Sequence, residues 1–354
     1  MKKINFFSLA ATYAGCFLGA GYVSGRELMQ FFGRFGLHGF YGLGLTVVIQ
    51  LVIACTLLLL VRRTGIYQTD RVIVPWELPW LQTAMGAFIA LFLFLVALTM
   101  FAAFGAMLTQ LFGLPSFAGA AILAAIVAVL AILGLKSVVA AFSVFVPVLA
   151  AAAIWLCIAA LVVFGVPRIP ASGGDGNWAL SAASFVSYNI LASVGVLIPV
   201  GQYVKSRKSI FAGIALGSLS LTVVAAGLIL SMYALPGSEN AELPMLAVAD
   251  ALHPACGLGY ALLLFGGMLG AALSSIVAAE IYLRQKLPKL DKHRTAIILV
   301  MVALALALSN LGFSQLVNSV YPICGYVGFA ALLGILIHYG MTFRKKHHVK
   351  GERR

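Results

Sequence analysis

The sequence predicts an all-α polytopic membrane protein with about ten transmembrane helices. Hydrophobic residues make up 62% of the 354 residues, charged residues make up only 9%, and the mean hydropathy is +1.07. Soluble domains carry about 25% charged residues, so lipid must be the main solvent of this chain. The apolar runs are continuous rather than alternating, which excludes a closed β-barrel.

Ten apolar runs are long enough to cross a bilayer, because a helix rises about 1.5 Å per residue and the hydrocarbon core is about 30 Å thick. They cover approximately residues 6–33, 39–61, 80–111, 117–134, 137–165, 178–203, 209–233, 256–283, 295–311 and 315–342. The first run resembles a signal peptide but continues to Phe32 without a cleavage-type sequence. We therefore interpret it as a retained span.

The basic residues predict the orientation of the spans. With the N-terminus inside, 20 of the 23 Lys and Arg residues fall in inner segments, as cytoplasmic loops require. Both termini are then cytoplasmic, residues 343–354 form a basic tail, and the protein lies in the cell (inner) membrane. The net charge of +13 is thus explained by topology, and no aromatic and basic interleaving indicates nucleic-acid binding.

The ten spans divide into two sets of five, over residues 1–165 and 178–342. Long linkers follow the second and seventh spans, and short linkers follow the fourth and ninth. A repeat with an odd number of helices enters the membrane from the opposite face in its second copy. This pattern predicts an inverted-topology repeat with a binding site near the midplane between the copies.

Three glycines and two charged residues mark the middle of the first span. Gly19, Gly21 and Gly25 lie within seven residues, and each weakens a helix by about 1 kcal/mol relative to alanine. Arg26 and Glu27 follow at once, although charge is costly at membrane depth. Close helix packing would explain the glycines but not the charges, so we expect a functional break in this helix.

Glu27 is the carboxylate that this break predicts to be functional. Its expected roles are a proton carrier, a cation ligand or a partner for a substrate amine. The alternative is a structural ion pair with Arg26 or Arg34. Because Arg26 is adjacent in sequence, it points to another side of the helix, and we expect it to act in an outer gate.

The sixth span is the counterpart of the first in the second repeat. It carries Asn189, Ser193 and Gly195 near mid-membrane, and Pro199 removes a helical hydrogen bond. A paired break in corresponding spans points to a transporter binding site, so we predict a second broken helix here. Taken singly, a Ser or Asn in a span is more often a contact between helices.

The eighth span offers two hydroxyls and a carboxylate. Ser274 and Ser275 are suited to oxygen coordination of a hard cation. Glu280 precedes Arg284 by four residues on the same helix face, which predicts an inner-gate or structural salt bridge.

Enzyme motifs are missing from the sequence. It holds no GxSxG, HExxH or Walker sequence, and its five cysteines form no CxxC pair. We expect neither an enzymatic activity nor a cofactor beyond a coupling ion.

The stretch Gly19-Ala-Gly-Tyr-Val-Ser-Gly-Arg-Glu27 resembles the glycine signature of YkvI-type bacterial membrane proteins. The whole layout resembles the LeuT fold of the amino acid–polyamine–organocation (APC) superfamily. This resemblance implies a secondary transporter with broken helices 1 and 6. It also implies a cation site formed by the carbonyls of Gly19 and Tyr22 and the hydroxyls of Ser274 and Ser275.

The resemblance further places Tyr188 at an outer gate and Leu191 to Ser193 at the second break. Leu273 occupies the place of one expected hydroxyl, and Glu27 has no counterpart in sodium-coupled amino acid members, so Na⁺ and H⁺ both stay open as the coupling ion. The expected substrate-binding residues are Gly21, Gly25, Glu27, Tyr188, Asn189, Leu191, Ala192 and Ser193. The expected gating residues are Arg26, Tyr188 and Glu280.

The expected function is cation-coupled transport of a small organic solute, such as an amino acid or amine, by alternating access. A sensor or scaffold that retains the fold without transporting is the alternative, because fold alone does not fix function. A channel is disfavoured, since the intramembrane polar residues are too few for a continuous polar pore.

Overall fold

The computed structural model describes residues 4–133, 136–171 and 173–351, and within them all side chains except those of residues 20, 136–147, 288, 290, 291 and 343–351. The α-helices of these residues, in chain order, are α1 (Phe6–Phe17), α2 (Ala20–Val23), α3 (Arg26–Phe31), α4 (Leu37–Thr64), α5 (Thr69–Ile73), α6 (Pro79–Phe112), α7 (Ser116–Leu133), α8 (Lys136–Phe164), α9 (Trp178–Gly201), α10 (Arg207–Ala234), α11 (Pro244–Leu252), α12 (Pro254–Lys286), α13 (Arg294–Leu308) and α14 (Phe313–Gly351).

These helices confirm a multi-pass membrane protein. Eight of them are long and apolar enough to cross a bilayer, within the described part of the chain. The first span, made of α1, α2 and α3, and the fifth span, α8, bring the number to the ten expected. The span predicted at 39–61 is Leu37–Thr64 in the structure, and the one predicted at 256–283 is Pro254–Lys286.

Helix ends follow ordinary capping rules. Gly65 after α4 and Gly113 after α6 adopt the left-handed conformation, each with φ of 67°, which glycine permits without a steric penalty. Pro79 and Pro254 begin α6 and α12, where a missing backbone N–H costs nothing.

The predicted inner segments meet at one end of the molecule. The backbone N–H of Ile4 donates to the Tyr203 carbonyl at 2.8 Å, and that of Lys205 donates to the Ile4 carbonyl at 3.1 Å. Lys286 Nζ lies 3.7 Å from Asp70 Oδ2. These contacts join the start of the chain and the segments after the second, sixth and eighth spans.

The predicted outer segments meet at the opposite end. The Leu37 N–H donates to the Pro170 carbonyl at 2.9 Å, and the Gly174 N–H donates to the Arg34 carbonyl at 2.6 Å. Gln110 Nε2 donates to the Leu243 carbonyl at 3.3 Å. The segments that the basic residues assign to one side of the membrane therefore contact one another in the structure. Which of the two sides is cytoplasmic stays a prediction.

Glycines allow the central helices to approach closely. In α10, Gly213 and Gly217 lie against the backbone of α1, and in α14, Gly325 and Gly328 lie against the serine-bearing face of α9. Helix α9 thus packs between α14 and α4, next to the first span. This arrangement places the sixth span beside the break of the first.

The predicted domain limits at 165 and 178 stay a prediction. The basic tail predicted over 343–354 is a continuation of α14 as far as Gly351. Its last three residues lie outside the described part of the chain.

Candidate functional site

The first span is broken, as the glycines predict. Helix α1 ends at Phe17, α2 is a single turn over Ala20–Val23, and α3 begins at Arg26. Gly25 between the last two has φ of 83°, a left-handed conformation that side chains rarely adopt. The helical hydrogen-bond ladder is interrupted on both sides of the short turn.

Neighbouring helices bind the polar backbone groups around the break. The Tyr260 hydroxyl of α12 donates to the Val23 carbonyl at 2.6 Å, and the Met245 N–H of α11 donates to the Ser24 carbonyl at 2.9 Å. The Tyr22 hydroxyl donates to the Leu221 carbonyl of α10 at 2.7 Å. Irregular backbone at membrane depth requires such partners. Tertiary hydrogen bonds therefore stabilise the break.

The carboxylate of Glu27 lies at the centre of this region. Its side chain is 6% exposed and turns back against the α2 turn, where Gly21 leaves room for Oε1. Oε2 accepts a hydrogen bond of 2.6 Å from the hydroxyl of Tyr188, a fully packed residue of the sixth span. Glu27 and Tyr188 therefore join the first and sixth spans directly.

The structural ion pair considered for Glu27 is not formed. Arg26 Nη1 donates to the Glu239 carbonyl in the outer loop at 3.1 Å, and the Arg34 guanidinium lies 4.6 Å from the centroid of the Phe35 ring. Among the described residues, no Lys or Arg forms a salt bridge with Glu27. An ionisable residue buried at membrane depth is a candidate functional residue.

Aromatic rings surround the Tyr188 side of the carboxylate. The ring of Tyr188 lies 5.1 Å from that of Tyr321, 5.4 Å from Phe31 and 5.6 Å from Phe185, with Phe92 at 6.3 Å. Four helices, α3, α6, α9 and α14, contribute to this cluster. Aromatic faces attract cations, as a carboxylate does, so the cluster and Glu27 favour the same kind of charged group.

Sequence reasoning missed most of this cluster. No sequence pattern distinguishes Tyr321 or the three phenylalanines from residues in ordinary apolar packing. Their sequence separations are large, and no periodicity on a single helix indicates that their rings converge on Tyr188.

The break predicted in the sixth span is wrong. Helix α9 is continuous from Trp178 to Gly201, with Pro199 near its end. Asn189 Nδ2 donates to the Phe185 carbonyl at 3.0 Å, and Ser193 Oγ donates to the Ile190 carbonyl at 2.8 Å. These side chains bond along their own helix, and the single exposed Gly195 costs the helix only about 1 kcal/mol.

The remaining expected substrate-binding residues of the sixth span differ in their exposure. Leu191, like Asn189 and Ser193, is buried, whereas Ala192 is partly exposed. The Leu191 side chain packs against Gly328 of α14. Gly25, the other expected glycine, packs against Met232 and Met245.

The expected cation ligands are only partly brought together. The carbonyl of Gly19 accepts from the Val23 N–H at 3.2 Å, and that of Tyr22 accepts from the Gly25 N–H at 3.1 Å. Helix α12 contacts α2, and Ser275 on it is buried. Ser274 is exposed, and its hydroxyl donates to the Gly270 carbonyl of its own helix at 2.8 Å, so it lies away from the break.

Two of the three expected gating residues, Arg26 and Glu280, lie at opposite ends of the molecule, and the third, Tyr188, lies beside Glu27. Arg26 faces the outer loop, where its Nε atom is buried without a hydrogen-bond partner among the described groups. Glu280, 1% exposed, forms the predicted salt bridge with Arg284 and also lies 3.8 Å from Arg294 Nε. Arg294 in turn donates to the Ala131 carbonyl at 2.9 Å, so this cluster connects α7, α12 and α13.

Comparison with known proteins supports this architecture. No family model matches the sequence. The "Uncharacterized membrane protein YkvI" of Bacillus subtilis is 26% identical over 344 residues, which cover 95% of this chain and 96% of the relative. The "Uncharacterized protein YyaD" of the same organism is 26% identical over 339 residues, 92% of this chain and 94% of the relative. The predicted resemblance to YkvI-type membrane proteins is confirmed.

Solved transporter structures share the fold. An inward-facing structure of Mhp1 has a TM-score of 0.69 at 16% identity and covers 97% of this chain and 80% of that one. The chain has a LeuT-type fold. MhsT in complex with L-phenylalanine has a TM-score of 0.61 at 17% identity, over 96% of this chain and 89% of that one. A Na⁺-coupled sialic acid symporter has a TM-score of 0.60 at 13% identity, over 94% and 79% of the two chains.

The LeuT-type fold agrees with the all-α, ten-span prediction. At these identities the likeness concerns the fold, so the residues of this chain must support any function assigned to its site.

Proposed function

We propose that this protein is a secondary active transporter that moves a small organic solute, such as an amino acid or amine, by alternating access and is driven by Na⁺ or H⁺. The observation that carries the proposal is the Glu27 carboxylate. It is buried in the break of the first span, bonded to Tyr188, and without a basic partner among the described residues.

The chemistry around Glu27 suits a cationic group. A carboxylate in a low-dielectric site gains from a positive partner far more than one in water, and aromatic faces add a cation–π contribution. An ammonium group of the substrate or a proton would meet this need. The proposed substrate site consists of Glu27 and Tyr188 with Gly21, Gly25, Asn189, Leu191, Ala192 and Ser193.

Sodium coupling would use a different part of the break. The carbonyls of Gly19 and Tyr22 and the hydroxyl of Ser275 offer the oxygen ligands that hard cations prefer, and Ser274 would have to turn inward to join them. Proton coupling would use Glu27 itself. The proposal keeps both ions, because each has a candidate group in the same break.

Arg26 and Glu280 are the proposed outer and inner gating residues. Each connects different elements at its own end of the molecule, so separation at one end with closure at the other would alternate access. We place the protein in the cell membrane with both termini cytoplasmic, and we assign residues 1–165 and 178–342 to the two inverted repeats.

Purified protein in proteoliposomes tests the proposal. A panel of amino acids and amines is screened first by thermal shift, and solutes that stabilise the protein are then offered under an imposed Na⁺ gradient or pH gradient. Accumulation under one gradient supports coupled transport and identifies the ion. Stabilisation by a solute without accumulation under either gradient would favour the sensor or scaffold alternative.

A further inference from the structure

A basic pocket lies at the inner end of the molecule, far in sequence from the Glu27 site. The lining residues that the structure describes are Arg62, Arg63, Thr64, Arg207 and Thr342, and the pocket volume is about 290 Å³. They come from the ends of three spans, α4, α10 and α14. The transport proposal uses none of these residues.

The charged residues among the described lining of this pocket have one sign. The described lining residues include three arginines and no carboxylate, although three like charges repel one another. Arg63 is held with its guanidinium 5.4 Å from the centroid of the Tyr339 ring, and Arg62 and Arg207 are exposed. Such a cluster is most stable when an anion occupies it.

The geometry favours a phosphate group in particular. Guanidinium groups match the paired oxygens of phosphate with two parallel hydrogen bonds. Arg207 is the first residue of α10, and Ser206 caps that helix by accepting from the Ser209 N–H at 3.1 Å. The positive end of the α10 dipole therefore adds to the arginines at the same place.

The position of the pocket favours a lipid as the source of such a phosphate. Helix α4 ends here, α10 begins here, and the apolar span of α14 ends here at Thr342. This is the face that the basic residues predict to be cytoplasmic. Basic pockets between spans on that face are suited to anionic lipid head groups, whose leaflet supplies them at high local concentration. We propose that this pocket binds the phosphate of an anionic phospholipid and thereby ties the inner ends of α4, α10 and α14 together.

Lipid titration of the full-length protein tests this proposal. The protein in neutral detergent micelles is titrated with phosphatidylglycerol, with phosphatidylcholine and with inorganic phosphate, and the unfolding temperature is recorded. The variants are Arg62→Gln and Arg207→Gln, and the matched control is Lys208→Gln. Lys208 is exposed beside Arg207 on the same helix and is not among the lining residues.

Phosphatidylglycerol is expected to stabilise the protein, and phosphatidylcholine is not. Each arginine variant should raise the half-saturating concentration of phosphatidylglycerol about fivefold, because one basic contact contributes about 1 kcal/mol. The Lys208 variant should match the parent protein. Equal weakening in Lys208→Gln would overturn the proposal, because it would indicate only general attraction to charge. Stabilisation by inorganic phosphate at concentrations as low as those of the lipid would assign the site to a soluble phosphate and overturn the lipid source.

Discussion

The hydroxyl of Tyr188 donates to the carboxylate of Glu27 across 2.6 Å, and this contact joins the broken first span to the unbroken sixth. Removing the hydroxyl with Tyr188→Phe keeps the ring contacts but takes away the donor. A hydrogen bond to a charged group contributes about 1.5–3 kcal/mol, so we expect solute uptake by proteoliposomes to fall at least tenfold. Tyr321→Phe is the control, because it keeps both the aromatic stacking and the Tyr188–Glu27 bond. Equal losses in the two variants would contradict a specific role for the Tyr188 hydroxyl.

Gly21 and Gly19 form a matched pair within the same break. A methyl group at Gly21 would overlap the Glu27 carboxylate, whereas one at Gly19 would meet nothing within 4 Å. We expect Gly21→Ala to displace Glu27, to lower the free energy of unfolding by about 1–3 kcal/mol and to abolish uptake. Gly19→Ala should change stability by no more than about 0.5 kcal/mol. Thermal unfolding in detergent measures both, and a Gly21 variant as stable and active as the Gly19 variant would contradict the described position of Glu27.

The Glu280 cluster predicts an effect on the inner end of the molecule. Glu280→Gln takes the charge of the Glu280 carboxylate away from Arg284 and Arg294. Loss of one partner of a buried pair costs about 3–5 kcal/mol, which partial exposure of the arginines reduces to about 1–3 kcal/mol. We expect a lower unfolding temperature and faster maleimide labelling of a Ser275→Cys probe in a background without the native cysteines.

The control for Glu280 is Asp70→Asn, which removes a partly exposed carboxylate 3.7 Å from Lys286. Exposed pairs contribute only about 0–1 kcal/mol, so this variant should leave stability and labelling nearly unchanged. A larger effect of Asp70→Asn than of Glu280→Gln would exclude Glu280 as the inner gating residue.

Orientation is tested with two exposed positions at opposite ends of the molecule. Asp175 lies in the segment predicted to be outside, and Lys289 lies in one predicted to be inside. In a cysteine-free background, a membrane-impermeant maleimide added to intact cells should label Asp175→Cys only, and it should label Lys289→Cys after lysis. The reverse pattern would invert the predicted topology.

The sequence predicts the fold well because each span is a continuous apolar run with its own end signals. Glycines such as Gly65 and Gly113 end helices locally, so the observed bounds differ from the predicted ones by only a few residues, except that α14 continues to Gly351. The first break was predictable for the same reason, since three glycines and two charges lie within nine residues.

The sixth span shows where local reasoning fails. The side chains of Asn189 and Ser193 are equally compatible with a break and with hydrogen bonds along a helix. In the structure α9 packs between α4 and α14 as a continuous helix. The exposed position of Ser274 depends on the rotation of α12, which a sequence of mostly small and apolar residues does not specify. The aromatic cluster around Tyr188 depends on four helices and so is visible only in three dimensions.

Gradient-driven uptake by Glu27→Gln tests the central proposal most directly. The variant keeps the size of the side chain and removes its charge, and it is compared with the parent protein and with Gly19→Ala in proteoliposomes under Na⁺ and pH gradients. Accumulation of an amino acid or amine by the parent and by Gly19→Ala, with none by Glu27→Gln, is the result we predict. Undiminished gradient-driven accumulation by Glu27→Gln would contradict the assignment of the buried carboxylate as the centre of transport.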